Sequence, residues 1–190
     1  MSSVVSSMIN LKLQYVKNFK ALEFLLLLIA FASVTGLLFT PALPELGSYF
    51  GISENKAQWT ISIFLVGYCL GQLPYGPLAN RFGRKKTIFI GVILAFLGSF
   101  MAYLAPNFWV FCIARFIQAL GSAVGLKISF TMISDEFTGK EATKAIALLS
   151  LAFGVMPGVA IATGGFITSF AGWKGSILFF YCPSMFPSLQ

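Results

Sequence analysis

Three stretches without a single charged side chain constrain this chain more than any other feature: residues 24–44, 57–80 and 87–114. A helix needs about 20 mostly apolar residues to cross the hydrocarbon of a bilayer, and the first two runs are each one crossing long. The third is too long for one crossing and breaks at Pro106-Asn107. Spans are therefore predicted near 22–40, 58–79, 87–105, 108–132 and 145–170, with a sixth apolar run from 175 to the end. Strand-period alternation is absent from these runs, which argues against a β-barrel. Charged residues make up 10% of the chain, where a soluble domain has about 25%; that is too few to cover a water-facing surface. With 57% hydrophobic residues and 21 Phe, the composition is the reverse of a disordered chain's. Three widely spaced cysteines (Cys69, Cys112, Cys182) make no disulfide scaffold. An all-α membrane protein remains.

Direction follows from the cations. Lys12, Lys17 and Lys20 precede the first span, Arg81, Arg84, Lys85 and Lys86 follow the second, and Lys140 and Lys144 follow the fourth. All nine fall on one side of the membrane, against Lys56 and Lys174 on the other. Lys and Arg accumulate on the cytoplasmic side, so residues 1–21 are expected to be a cytoplasmic segment of a multi-pass inner-membrane (cell-membrane) protein. The net charge of +7 expresses this asymmetry and contact with anionic lipid, not nucleic-acid binding. The basic, Ser-rich start would also suit a targeting peptide. Its apolar run exceeds a signal core and leads into further spans, so an uncleaved first helix is the better reading.

Residues 76–88, GPLANRFGRKKTI, form the most informative loop. Physically it reads as a tight cytoplasmic turn: Gly76 and Pro77 end one helix and Gly83 supplies a left-handed backbone. A hairpin obeying the positive-inside rule would account for its charges. The order of residue types says more. It resembles the G-x-L-a-D-r-x-G-r-k signature of the major facilitator superfamily, matching at Gly76, Leu78, Ala79, Arg81, Gly83, Arg84 and Lys85. The resemblance implies the N-terminal six-helix half of a fold of about twelve spans, built from two inverted three-helix repeats. Residues 22–180 would form this half, its sixth helix incomplete, and 181–190 depart from the family. It also implies a gating loop whose charge network holds the cytoplasmic side closed. Asn80 stands where the family has Asp, and a neutral acceptor bonds more weakly than a carboxylate.

The fourth span, FWVFCIARFIQALGSAVGLKISF, carries Arg115 and Lys127. At about 1.5 Å per residue Arg115 lies about 10 Å inside the outer edge, while Lys127 is near the inner edge and can snorkel. A buried guanidinium is costly in lipid. Phe111, Arg115, Gln118, Ser122, Gly125 and Ser129 share one helical face, a polar stripe suited to lining a water-filled cavity. R-F-I-Q-A-L-G is similar to the R-x-x-Q-A-l-G of bicyclomycin-resistance-type drug:proton antiporters, which implies a substrate or proton pathway through Arg115, Gln118 and Ser122. Further resemblances to the subfamily lie at 134–144 and in L-F-T-P-A-L-P with Pro41 and Pro44. The acidic residues of 134–144 (Asp135, Glu136, Glu141) read as a solvated loop and a charged helix start. The fifth span's Pro157, Gly158, Gly164 and Gly165 are expected to kink the helix and allow close helix packing. The subfamily's acid would fall at Leu37, and no carboxylate lies in the membrane interior.

The function implied is multidrug or small-molecule efflux by alternating access, proton-coupled in the full-length family, with drug resistance as its outcome. The partners are the lipid bilayer, a small-molecule substrate and a second half-transporter chain. The alternative is a truncated, transport-incompetent fragment of the same half-fold. An enzyme finds no support, and neither a metal nor a cofactor is expected: there is no His, no ligand cluster and no nucleophile beside a base.

Overall fold

The computed structural model describes residues 22–178. The segment 1–21, the tail 181–190, Cys182 and the end of the sixth apolar run lie outside the described residues. Within them the chain is helical throughout, with no strand among the described residues. Helix α1 covers 22–37. A 3-10 turn at Thr40–Ala42 leads to α2 (Leu43–Phe50) and α3 (Glu54–Ala57). Four long helices follow: α4 (Trp59–Phe82), α5 (Arg84–Tyr103), α6 (Phe108–Glu136) and α7 (Gly139–Leu178). Five segments are long and apolar enough to cross a membrane, the first being α1 with its continuation to Phe50.

The boundaries have local causes. Pro41 and Pro44 lack the N–H groups that would bond the Leu37 and Thr40 carbonyls, so α1 stops and the chain restarts as α2. Ala105 precedes Pro106, which disfavours helix there, and Asn107 caps α6 by accepting from the Val110 N–H at 2.9 Å. The loop predicted at 76–88 is shorter than expected. α4 continues through Gly76 and Pro77 to Phe82, and Gly83 alone (φ 85°) turns the chain into α5. Likewise most of 134–144 is helical, with Phe137 extended between α6 and α7. Pro157 lies inside α7, but the non-helical break comes at Gly172 (φ 65°, ψ −174°). There the Trp173 N–H donates to Glu45 Oε2 at 2.9 Å, tying the α7 break to α2.

α6 is the hub of the bundle. A Cβ added to Gly121 would run into the backbone of Ala95 on α5, and one at Gly125 would meet the Leu28 carbonyl oxygen of α1 at 2.5 Å. The Gly67/Gly71 pair of α4 also sits close against Phe116 and Leu120 of α6, at 2.9 and 2.8 Å for an added Cβ. Lipid tails are as apolar as Leu, so close backbone approach drives helix association in a bilayer. Burial is uneven: 61% of the most apolar window of α6 is buried, against 22% for the span containing α4 and 17% for α7. Two helices therefore present largely uncovered apolar faces.

Candidate functional site

Arg115 is 3% exposed, sealed in the bundle rather than facing a cavity. Its Nη1 donates to the Thr35 carbonyl at 3.2 Å and its Nη2 to the Gly36 carbonyl at 3.1 Å. These carbonyls belong to the last turn of α1, where helix geometry leaves acceptors without amide partners. The guanidinium thus caps α1 from α6, as cations suit a helix C-terminus. Nη1 also donates to Gln118 Oε1, whose Nε2 donates to Ser99 Oγ on α5 at 2.6 Å. The Phe64 ring centroid lies 4.5 Å from the guanidinium carbon and that of Phe39 lies 5.5 Å away. Arg115 Nε has no partner.

This arrangement corrects the expectation of a water-lined stripe. Phe111, Gln118, Ser122 and Ser129 are all buried. Ser122 Oγ donates to the Ala119 carbonyl and Ser129 Oγ to that of Leu25. Two orphan carbonyls and an amide hold the Nη groups of Arg115, and two aromatic rings flank it, leaving Nε alone without a partner.

A recess lies elsewhere, between α1, α4 and α7. Its empty volume is about 440 Å³, part of it open to the surroundings, and Ser33, Leu37, Phe64, Tyr68, Phe153 and Pro157 line it. The exposed surface of the recess is wholly apolar, and Ser33 Oγ and Tyr68 OH are buried behind it without hydrogen-bond partners. Phe64 and Tyr68 stack at 6.2 Å with their planes 16° apart. Sequence reasoning passed over Ser33, Phe64 and Tyr68; the spacing of Ile61, Phe64, Leu65 and Tyr68 on one face of α4 was the available signal. Pro157 and Gly158, expected to allow close helix packing, meet no close helix contact among the described residues. Pro157 lines the recess, and a Cβ at Gly158 would have nothing within 4 Å. Gly164 does make a close approach, to the Leu38 carbonyl at the α1 break, and Gly165 makes ordinary contact with Pro41.

On the opposite end, Arg84 Nη2 pairs with Asp135 Oδ2, joining the start of α5 to the end of α6. Asp135, read as a solvated loop residue, is thus the carboxylate that answers the loop. Asn80, Arg81 and Lys85 are exposed, with Arg81 lying over the Phe82 ring at 5.3 Å, and Gly76 adjoins the Lys127 stem. The paired side chains are 34% and 51% exposed, so solvent screens them. A double-mutant cycle on Arg84→Ala and Asp135→Ala is expected to give a coupling of about 0.2–1 kcal/mol. A coupling near 3 kcal/mol would mean that the pair is effectively buried. Among the described residues no three His, Cys, Asp or Glu side chains gather into a metal site.

Apolar helices joined through a glycine-lined hub, five of them long and apolar enough to cross a bilayer, define a multispanning membrane protein. The chain belongs to the Major Facilitator Superfamily, which it matches over residues 24–186. It is 31% identical over 156 residues to an uncharacterised transporter of Rickettsia bellii, covering 82% of this chain and 39% of that protein. It is 26% identical to multidrug resistance protein D of Escherichia coli over 163 residues (86% of the chain, 41% of the relative). With a bicyclomycin resistance protein homolog of Haemophilus influenzae it shares 29% over 136 residues (72% and 34%). The chain therefore spans about a third to two fifths of the length of these relatives.

Proposed function

We propose that these helices form the N-terminal half of a small-molecule exporter that works by alternating access, and that transport requires a second half seated on α4 and α7. The observation that carries this reading is the recess itself. It is bordered by Leu65 and Phe153, both exposed, on the two helices with the least burial. A second set of helices laid on that side would cover the apolar faces and enclose the recess at the midplane, where transporters of paired repeats hold their substrates. The names of the relatives support a drug-like cargo. In this reading Arg115 positions α1 and Gln118 ties it to α5 beside the substrate path, while Ser122 bonds within α6. Gly76, Asn80, Arg81, Gly83, Arg84 and Lys85 form the cytoplasmic gate. Five of the six acidic residues lie within about two residues of a span end or beyond it and the sixth, Glu45, is exposed in the last turns of the first span, so in this reading the carboxylate of a proton-coupled cycle belongs to the second half.

The test is drug accumulation in cells expressing the chain alone or with the C-terminal half of Escherichia coli multidrug resistance protein D. Accumulation is expected to fall only when both halves are present. Efflux by the chain alone would overturn the need for a second half. Unchanged accumulation despite a co-purifying pair would overturn the exporter reading.

The same reading places the N-terminus in the cytoplasm. In a background without native cysteines, an impermeant thiol reagent added outside is expected to label Asn107→Cys and spare Lys85→Cys. The reverse pattern would invert the orientation that the cation asymmetry sets.

A further inference from the structure

At the end of the bundle away from the Arg84–Asp135 pair, one lysine is surrounded by rings. Lys174 Nζ lies over the rings of Tyr49 and Trp173, each at 5.4 Å, and over that of Tyr103 at 5.7 Å. These rings come from α2, from the break in α7 and from the last residue of α5. Tyr49 and Trp173 also pack on each other, with centroids 5.0 Å apart. The backbone builds this arrangement. Gly172 (φ 65°) breaks α7 just before Trp173 and Lys174, and a Cβ there would meet Glu45 Oε1 at 2.8 Å. Glu45 Oε2 accepts from the Trp173 N–H, which fixes the Trp173 backbone and sets a carboxylate beside the rings. Among the described residues Lys174 forms no ion pair.

Three rings around one position attract a cation through their quadrupoles. For a bare ammonium the distances are long, near the limit of about 6 Å for such contacts. N-methyl groups would take up that space. A quaternary ammonium is also more weakly hydrated than the lysine head, so it loses less on leaving water. Lys174 is exposed and its stem is flexible, so the head is free to swing away. Tyr49, 55% exposed, leaves one side of the position open.

We propose that Tyr49, Tyr103 and Trp173 form a site for a quaternary ammonium group, with Lys174 as its tethered occupant. The incoming group displaces the lysine head, and Glu45 adds attraction at longer range. The site shares no residue with the recess between α1, α4 and α7, and it does not rest on the exporter reading. A lipid headgroup and a free solute would present the same trimethylammonium chemistry.

The test uses the 190-residue chain in maltoside micelles, which carry no charge. Equilibrium dialysis compares labelled choline with 3,3-dimethyl-1-butanol, its uncharged carbon isostere, after subtraction of protein-free micelles. Choline is expected to bind at least about fivefold more tightly, because the rings act on its charge. Lys174→Ala is expected to raise choline binding about tenfold, since a tethered competitor is gone, with a smaller gain for the alcohol. A charge-selective gain is not what a misfolded chain gives. Adding Tyr49→Leu, which keeps apolar bulk, is expected to take back about two- to fivefold of the choline gain. Equal binding of the two probes by the Lys174→Ala chain would overturn the proposal, as would the absence of any choline gain. Dihexanoyl-phosphatidylcholine then competes against labelled choline. Displacement at a lower concentration than unlabelled choline requires assigns the site to a lipid headgroup, and the reverse order assigns it to a free solute.

Discussion

Arg115→Ala is expected to destabilise the helical bundle by about 2–4 kcal/mol while leaving membrane insertion intact. Insertion survives because removing a charge makes the span more apolar. The destabilisation follows from what the guanidinium holds: two carbonyls of the last turn of α1, Gln118 on its own helix and, through Gln118, Ser99 on α5. Polar contacts between helices in a bilayer contribute about 0.6–1.7 kcal/mol each, and a cation on an aromatic face about 0.5–2 kcal/mol. Arg115→Lys should recover less than half of the loss, since one ammonium lacks the planar fork that reaches both carbonyls at once. Unfolding by denaturing detergent in bicelles, read by far-ultraviolet circular dichroism, measures both. In the paired exporter Arg115→Ala is also expected to abolish efflux at matched membrane levels. Unfolding of Arg115→Ala at the wild-type midpoint would sink the role of this side chain as the cap that joins α1 to α6.

Gly121→Leu is expected to be worse, at least about 3 kcal/mol and enough to prevent accumulation of folded protein. A Cβ at this position would meet the backbone of α5 at Ala95, not the mobile end of a side chain. The helices can accept it only by moving apart. Separation would also loosen the Gln118–Ser99 bond between the same two helices. The control is Gly154→Ala on α7, where nothing lies within 4 Å. There the substitution should be neutral or stabilise the bundle by up to about 1 kcal/mol, since Ala loses less conformational freedom in a helix. The matched pair Gly121→Ala and Gly154→Ala shares native and introduced residue and differs in what faces them. Equal effects, read by the same detergent titration, would contradict the close approach at Gly121.

The fold class was legible because a bilayer acts locally along the chain. A charge-free run long enough to span hydrocarbon must satisfy its backbone within itself, and only a helix does that for a single segment. Pro41, Pro44, Pro106 and Asn107 mark where helices end for reasons carried by one or two residues. The Pro77 expectation failed because helix geometry tolerates a proline when neighbouring helices support the segment, and α4 is held against α6 by Gly67 and Gly71.

The site was less legible, because its partners are far apart in the chain. Arg115 drew attention as a lone cation in an apolar helix, but its acceptors lie about eighty residues upstream, at Thr35 and Gly36. Peptide carbonyls leave no signature in a residue string. With no carboxylate at that depth, water looked like the remaining partner; the folded chain supplies the broken end of α1 instead. Asp135 is solvated as its sequence context suggests, but its pairing with Arg84 left no local sign because the two are 51 residues apart. Ser33 and Tyr68 are unremarkable in any helix, and only the meeting of α1, α4 and α7 leaves both hydroxyls buried without partners. The sequence by itself determined which segments enter the membrane, because that depends on the transfer energy of consecutive side chains. Which polar groups are satisfied and which are buried without a partner was decided only by tertiary structure, because hydrogen bonds and close contacts act over a few ångströms between residues the chain keeps far apart.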